Sequence, residues 1–179
     1  MVKQQKETIW YIDPVHTKIG FRTKYLMLTS ISGWFQEFEG IVMTDDQFNP
    51  TRIQLTIYTN SLITGNEERD SHLRSADFFD AKKFPIISFN SSAIHKKDAT
   101  VEVTGQLGIK AIRTTISFNA AYLGFTNDPM GNVKAGFEMD IGLNRKDFDL
   151  SWNQYFDKSG VLLSDEVTVL CDVQLLKIA

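Results

Sequence analysis

A single cysteine, Cys171, in a chain of 179 residues leaves no partner for an internal disulfide and no Cys pair for a structural zinc site. Stability must come from burial, which a chain of this length can supply within one domain. No apolar run reaches the length of a membrane-spanning helix. There is no basic block either: 19 Lys and Arg stand against 22 Asp and Glu, a formal net charge of −3, which speaks against a nucleic-acid surface. The opening MVKQQKETIWYID lacks the apolar core of a secretory signal, so a cytoplasmic location is the expectation; a leader removed ahead of this start would leave the same sequence. The four prolines, Pro14, Pro50, Pro85 and Pro129, all fall in turn or strand-entry positions, and no linker, repeat or low-complexity tract divides the chain. One domain, 1–179, follows.

Against these scarcities stand 13 phenylalanines, most of them in segments that alternate apolar and polar residues at the period of a strand. Ile9 to Asp13 is a short strand ending at Asp13-Pro14. Beyond it Ile19, Phe21 and Thr23 share one side, opposite Lys18, Gly20, Arg22 and Lys24. Tyr25 to Ile31 is apolar and irregular, consistent with a brief helical turn. Ser32 to Met43 reads as a long strand with a bulge or a bend near Gln36, because Phe35 and Phe38 have opposite parity. Ile53, Leu55 and Ile57 alternate cleanly, and Phe84-Pro85 leads into a strand through Phe89 toward Ile94. After a turn over Lys96 to Asp98 come Val101, Val103, Gly105 and Leu107, then Ile116, Phe118, Ala120 and Tyr122. A polar loop, Thr126 to Gly131, precedes the clearest pattern, in which Val133, Ala135, Phe137, Met139, Ile141 and Leu143 fill one face of Asn132 to Leu143. Fully extended, that strand spans about 40 Å. Val167, Val169, Cys171, Val173 and Leu175 repeat it at the end of the chain.

Eight to ten strands joined mostly by short turns imply an antiparallel all-β fold, because parallel strands need crossovers that are missing. One-sided alternation in nearly every strand favours a closed barrel. At about eight strands its interior is either filled by side chains or holds one small ligand.

One stretch breaks the pattern. Thr64 to Asp80, TGNEERDSHLRSADFFD, reads as a short helix followed by a double-phenylalanine turn, a lid-like insert packed against the barrel mouth. Thr64 and Glu67 fit a capping box, with Glu67 and Glu68 at the positive end of the helix dipole. Asp70 and Arg74, four apart, can pair on one face, with Arg69 pointing elsewhere. Leu73 points with Phe78 toward an apolar partner. Phe78 and Phe79 point to opposite sides if the turn is extended, so only one of them should enter the barrel.

Metal and triad readings find little support. His16, His72 and His95 have no ligand spacing around them, and Ser71 beside Asp70 and His72 does not make a triad, whose members must converge in space. No nucleophile elbow, phosphate loop or dinucleotide fingerprint is present. Arg69 and Arg74 have two readings: a solvated helix face, or a cation at a cavity mouth that meets an anionic or polar head group.

With these residues on the page, the chain resembles the YceI-like family of bacterial lipid-binding proteins from Ile12 to about Leu176. The likeness rests on IDPVHTKIGF, GWFQEFEG, SLITGNEERDSHLRSADFFD with FPIISF, GQLGIK, AGFEMDIGLNRKDF and LLSDEVTVLCDVQLL. It implies an extended lipocalin-like β-barrel whose tunnel holds a long apolar chain such as a polyisoprenoid, an isoprenoid quinone or a fatty-acid derivative. It further implies a homodimer, no catalytic activity, and no cofactor beyond that lipid. Three positions depart from the family pattern: Tyr25 where histidine is frequent, and Ala111 and Asp149 where glycine is usual. On this reading the tunnel wall is Phe21, Phe35, Leu55, Ile57, Val103, Phe118, Phe137, Met139, Ile141 and Val169, closed at one end by Leu73, Phe78 and Phe79. Tyr25, Arg69, Asp70, His72 and Arg74 are the head-group or lid candidates. Two other readings stay open: an enzyme acting on an apolar substrate in the barrel, with Asp70, His72 or Tyr25 as its polar group, and a stress-response structural protein with a filled core.

Overall fold

The period-two segments become strands whose apolar faces turn to one interior. The computed structural model describes residues 7–156 and 160–177. Its strands are β1 (Thr8–Ile12), β2 (Lys18–Tyr25), β3 (Thr29–Phe35), β4 (Phe38–Thr44), β5 (Pro50–Tyr58), β6 (Leu62–Ile63), β7 (Ile86–Lys97), β8 (Thr100–Ile109), β9 (Ile112–Asn127) and β10 (Val133–Asn144). A two-residue pair, β11 (Tyr155–Phe156) and β12 (Gly160–Val161), precedes the last strand, β13 (Leu163–Lys177). The one α-helix among the described residues is α1 (Glu67–Arg74).

Strands β1, β4, β5, β7, β8, β9, β10 and β13 pair in that order and β13 returns to β1, closing an antiparallel barrel of eight strands. Closure leaves this ring without free edges. The fifteen residues of β13 serve two neighbours: Ile12 lies opposite Leu175, while Ile19 to Tyr25 of β2 lie opposite Cys171 to Leu163. The β2–β3–β6 sheet therefore prolongs the wall at one end, and α1 with the turns after it follows β6 there. We call this the helical end. The other end carries the loops Asp45–Asn49, Asp98–Ala99 and Asp128–Asn132.

Two glycines make room for aromatic rings on the inner wall. A Cβ on Gly33 would come within 2.6 Å of the Phe21 ring, and one on Gly105 within 2.5 Å of the Phe89 ring. Each phenylalanine thus lies across its neighbouring strand instead of projecting into the centre.

Two expectations about segments change. Ser32 to Met43 is two strands rather than one, and of the two irregularities expected near Gln36 it is the bend that forms. Gln36 and Glu37 break it, β3 pairs with β2 and β6, and β4 pairs with β1 and β5. The break lets both Phe35 and Phe38 be buried despite their opposite parity. Tyr25 to Ile31 is a β-hairpin turn, not a helical one. Leu28 N–H donates to Tyr25 O at 3.0 Å, and Leu26 and Met27 take φ of 53° and 58°. Two consecutive left-handed residues match the twist of the flanking strands, at about 1–2 kcal/mol each for side chains that carry a Cβ.

Candidate functional site

The inner faces do not fill the barrel. A cavity of about 370 Å³ runs through it, within the size range of small-molecule sites. Phe118, Met139, Ile141 and Val169 stand in the middle of apolar faces yet stay half-buried, because they face this space. A filled core would bury them, so the filled-core reading is set aside.

Beyond the helical end the cavity is closed by an aromatic plug. In the loop between β4 and β5, the Asp45 carboxylate accepts hydrogen bonds from Gln47 N–H, Asn49 N–H and the Asn49 amide, and Phe48 is held at φ 59°. The Phe48 ring packs on Trp10 at 4.9 Å, Tyr122 at 5.4 Å and Phe137 at 6.3 Å between centroids. Lys96 donates to Phe48 O at 3.2 Å while its ammonium sits over the Phe48 and Tyr122 rings. Trp10 Nε1–H is satisfied by Thr44 Oγ1 at 3.1 Å.

At the helical end the residues that carry polar groups gather, although the surface facing the cavity stays almost wholly apolar. Thr23, Tyr25, Arg69, His72, Arg145 and Trp152 all border the cavity there. His72 lies edge-on to Trp152 at 4.6 Å and to Phe78 at 5.1 Å, and its Nε2 is 2.9 Å from Asp77 Oδ2. Arg69 folds back on Thr64, donating from Nε to the hydroxyl at 2.7 Å and from Nη2 to the carbonyl at 3.0 Å. Among the described residues it has no carboxylate partner. Arg145 is buried; it donates to the carbonyls of Leu150, Trp152 and Ser164 and pairs with Asp165 at 3.2 Å. That network holds the 145–152 segment across the barrel end.

Several details of the insert differ from the sequence reading. The N-cap of α1 is Asn66, whose side chain accepts from Arg69 N–H at 2.9 Å, and not Thr64 in a capping box. Asp70 is buried, and its carboxylate accepts from the Thr64 N–H at 2.8 Å and from the Thr64 hydroxyl. It forms no ion pair with Arg74, whose guanidinium donates to the backbone carbonyls of Asp70 and Asn60. A carboxylate that caps a neighbouring N–H and hydroxyl is better served inside than one paired to a cation in water. Phe78 and Phe79 are both buried and both border the cavity. The segment is coiled by bonds from Phe79 N–H to Leu73 O and Asp80 N–H to Ser75 O, so strand parity does not apply.

The cavity wall contains Phe21, Phe35, Leu55, Ile57, Leu73, Phe78, Phe79, Val103, Phe118, Phe137, Met139, Ile141 and Val169, with Tyr25, Arg69 and His72 at its polar end. Asp70 and Arg74 lie outside the lining. Arg145, Trp152 and Thr23 belong to it, and sequence reasoning did not select them. Thr23 shares the parity of Phe21, and Arg145 directly follows the strand with the clearest pattern, so both carried a signal. Trp152, in a polar stretch, carried none.

The departures at Asp149 and Ala111 are accommodated. Asp149 takes the left-handed conformation, φ 55°, and Lys110 donates to its carbonyl at 2.8 Å. In the β8–β9 turn the left-handed residue is Lys110, at φ 54°, so Ala111 bears no such demand.

Burial, reinforced by Asp172 and Asp140, pushes the Cys171 thiol up to about 12, so this thiol on the wall is neutral and a poor nucleophile. Among the described residues no three His, Cys, Asp or Glu side chains converge as a metal site.

Residues 10–175 match the model of the YceI-like domain. Protein YceI of Salmonella newport (strain SL254) is 35% identical over 138 residues, which cover 76% of this chain and 72% of that protein, and Protein YceI of Salmonella arizonae matches equally. Among solved structures, Burkholderia cenocepacia BcnA superposes with a TM-score of 0.78 at 25% identity, covering 91% of this chain and 98% of that one. The Campylobacter jejuni YCEI protein does so with 0.74 at 25%, covering 87% and 90%. A polyisoprenoid binding domain from Saccharophagus degradans, implicated in plant cell wall breakdown, shares the fold at 14% identity with a TM-score of 0.70, covering 97% and 100%.

Proposed function

We propose that this chain, which belongs to the YceI-like family, is a non-catalytic binding protein that carries or stores an amphiphile with a long apolar chain. The observation that carries this reading is the polarity of one cavity. Its walls are apolar along the barrel, while its few polar side chains gather at the helical end beside Arg69. The chain of the ligand lies along Phe118, Met139, Ile141 and Val169, and its polar head meets Arg69, His72 and Tyr25. A polyisoprenoid, an isoprenoid quinone or a fatty-acid derivative has this form. The Saccharophagus domain supports only the suitability of the fold, since its likeness is one of fold alone.

Burial supplies enough free energy without further chemistry. At about 0.8 kcal/mol per methylene, ten methylenes contribute about 8 kcal/mol before the cost of association is subtracted. Arg69 adds selectivity, because a cation beside an apolar space favours a head group that accepts hydrogen bonds or carries negative charge.

Native mass spectrometry of protein purified from cells, with organic extraction of the same sample, tests the reading. A bound long-chain amphiphile is the expected result. Protein that arrives empty and takes up neither a polyprenol, a quinone nor a fatty acid from solution overturns it. The same spectra report whether the chain is the homodimer that the family resemblance implies.

A further inference from the structure

We propose that the tip of the β2–β3 hairpin, Leu26 to Leu28, docks this protein on an anionic lipid bilayer and brings the helical end of the cavity to the membrane. The proposal deepens the binding function above and rests on it for the cargo. Three observations meet at the tip. Met27 is 66% and Leu28 79% exposed, which burial in the fold does not explain. Leu26 and Met27 occupy the two left-handed positions of a turn that Asn-Gly would satisfy without strain. The chain thus holds apolar side chains in water at a position where the backbone favours small or polar ones.

The second observation is charge. Below the tip, Arg22 and Lys24 are exposed on the outer side of β2. Ser32 and Thr168 flank Arg22 and Ser30 flanks Lys24, while on the β13 side Lys24 faces the bulge that holds Asp165 and Glu166, of which Asp165 is already paired with Arg145 and Lys146. Neither cation forms an ion pair among the described residues. An apolar tip with cations a few residues behind it suits a bilayer, where the tip enters the acyl boundary and the cations reach anionic head groups.

The third observation is position. Tyr25, at the base of the turn, borders the cavity, and Leu26 N–H donates to Leu162 O at 2.8 Å, with Leu162 and Leu163 also on the cavity wall. The far end also exposes apolar side chains, Phe125 at 67% and Met130 at 85%. There, however, the neighbouring loops carry Asp45, Asp46 and Asp128, and Phe48 blocks the barrel. Lys96, Lys97 and Lys134 stand among those aspartates, so charge is mixed there, and it is the blocked barrel that makes this end the control.

The test is flotation of the full chain with phosphatidylcholine vesicles and with vesicles of phosphatidylcholine and phosphatidylglycerol. The wild type should bind the second kind more tightly, with an affinity that falls with salt. Leu26→Asn/Met27→Gly/Leu28→Ser relieves the turn and removes the apolar tip, so it should fold at least as stably yet lose vesicle binding by about tenfold or more. Arg22→Gln and Lys24→Gln should each cost about fivefold, on anionic vesicles only. Phe125→Ser/Met130→Ser should bind as the wild type does. Undiminished binding of the tip variant overturns the proposal. So does loss of binding in the far-end variant, or a tip variant whose only change is oligomeric state. Lipid content by mass spectrometry separates the two readings: an empty protein that still docks through its tip defeats the cargo alone, and a lipid-filled protein that ignores vesicles defeats the docking alone.

Discussion

The two ends of the barrel are built from the same strands and closed by opposite means. At the far end a single loop residue, Phe48, stacks among Trp10, Tyr122 and Phe137, and the seal is aromatic. At the helical end Leu73, Phe78, Phe79 and Trp152 border the cavity together with Arg69 and Arg145, and Asp70 holds the insert from outside the lining through its bonds to Thr64. The lesson is one of permanence. An aromatic plug is stabilised by area buried on every side and opens only if the domain loosens. A closure that carries hydrogen-bonding groups beside its apolar ones can exchange one partner for a ligand's head group at little cost.

Substitutions should separate the ends by the size of their effects. Phe137→Ala strikes the plug and leaves a hole beneath Phe48, so its cost should reach about 3–5 kcal/mol in denaturant unfolding. A loss near that of an exposed residue would mean the plug is not what seals this end. Asp70→Asn removes the charge that Thr64 N–H and hydroxyl donate to, and should lower stability by about 2 kcal/mol. Lipid release should quicken in the same variant. Unchanged thermal midpoint and unchanged release would leave the buried carboxylate with no role in holding the helical end.

Met139→Ala offers the sharper contrast with Phe137→Ala. Met139 belongs to the same strand face and, like Phe137, borders the cavity, but it is only half-buried, so truncation creates little new void. Its cost should stay below about 2 kcal/mol while lipid occupancy changes. A core-sized loss with unchanged occupancy would place the void elsewhere.

The smallest effect is one of slope. Asp13 sits where β1 gives way to β2. Burial opposes its ionisation, but Lys134 at 2.6 Å, His16 at 2.9 Å, Val15 N–H and Gln174 outweigh that and hold its carboxyl well below the usual carboxylate range. A carboxyl depressed in the folded state contributes stability that is present above its unfolded value of about 3.9 and is lost as pH falls below it. Stability of the wild type should therefore drop below about pH 4. Asp13→Asn should be less stable at neutral pH and flatter in that acid range. Parallel acid curves for the two proteins would show that the depression carries no weight.

Which parts of this were legible beforehand follows from the range of the forces involved. Strand parity was legible, because alternation is local: Val133 to Leu143 show their inner face in sequence, and β10 turns that face to the barrel. So were the antiparallel order and the single helical insert. The irregularity near Gln36 is legible in the opposite parity of Phe35 and Phe38, but a bulge and a bend both put these rings inside, and only partner strands far along the chain distinguish them. Asp70 was read as a helix-face partner of Arg74 because i, i+4 spacing is visible in sequence. Its actual partner, Thr64, comes into reach only through the path the chain takes after β6.

The sequence by itself determined that this chain is an all-β protein with an apolar interior and one charged insert, because periodicity, turns and charge are properties of neighbouring residues. Only the tertiary structure decided that the interior is hollow, that Phe78 and Phe79 both border it, and that Arg145 ties the 145–152 segment to the start of β13. Each of these depends on the sum of side-chain volumes and partners contributed by strands more than a hundred residues apart, as when Thr17 on β2's approach bonds Gln174 on β13. No local pattern records whether such a sum leaves space.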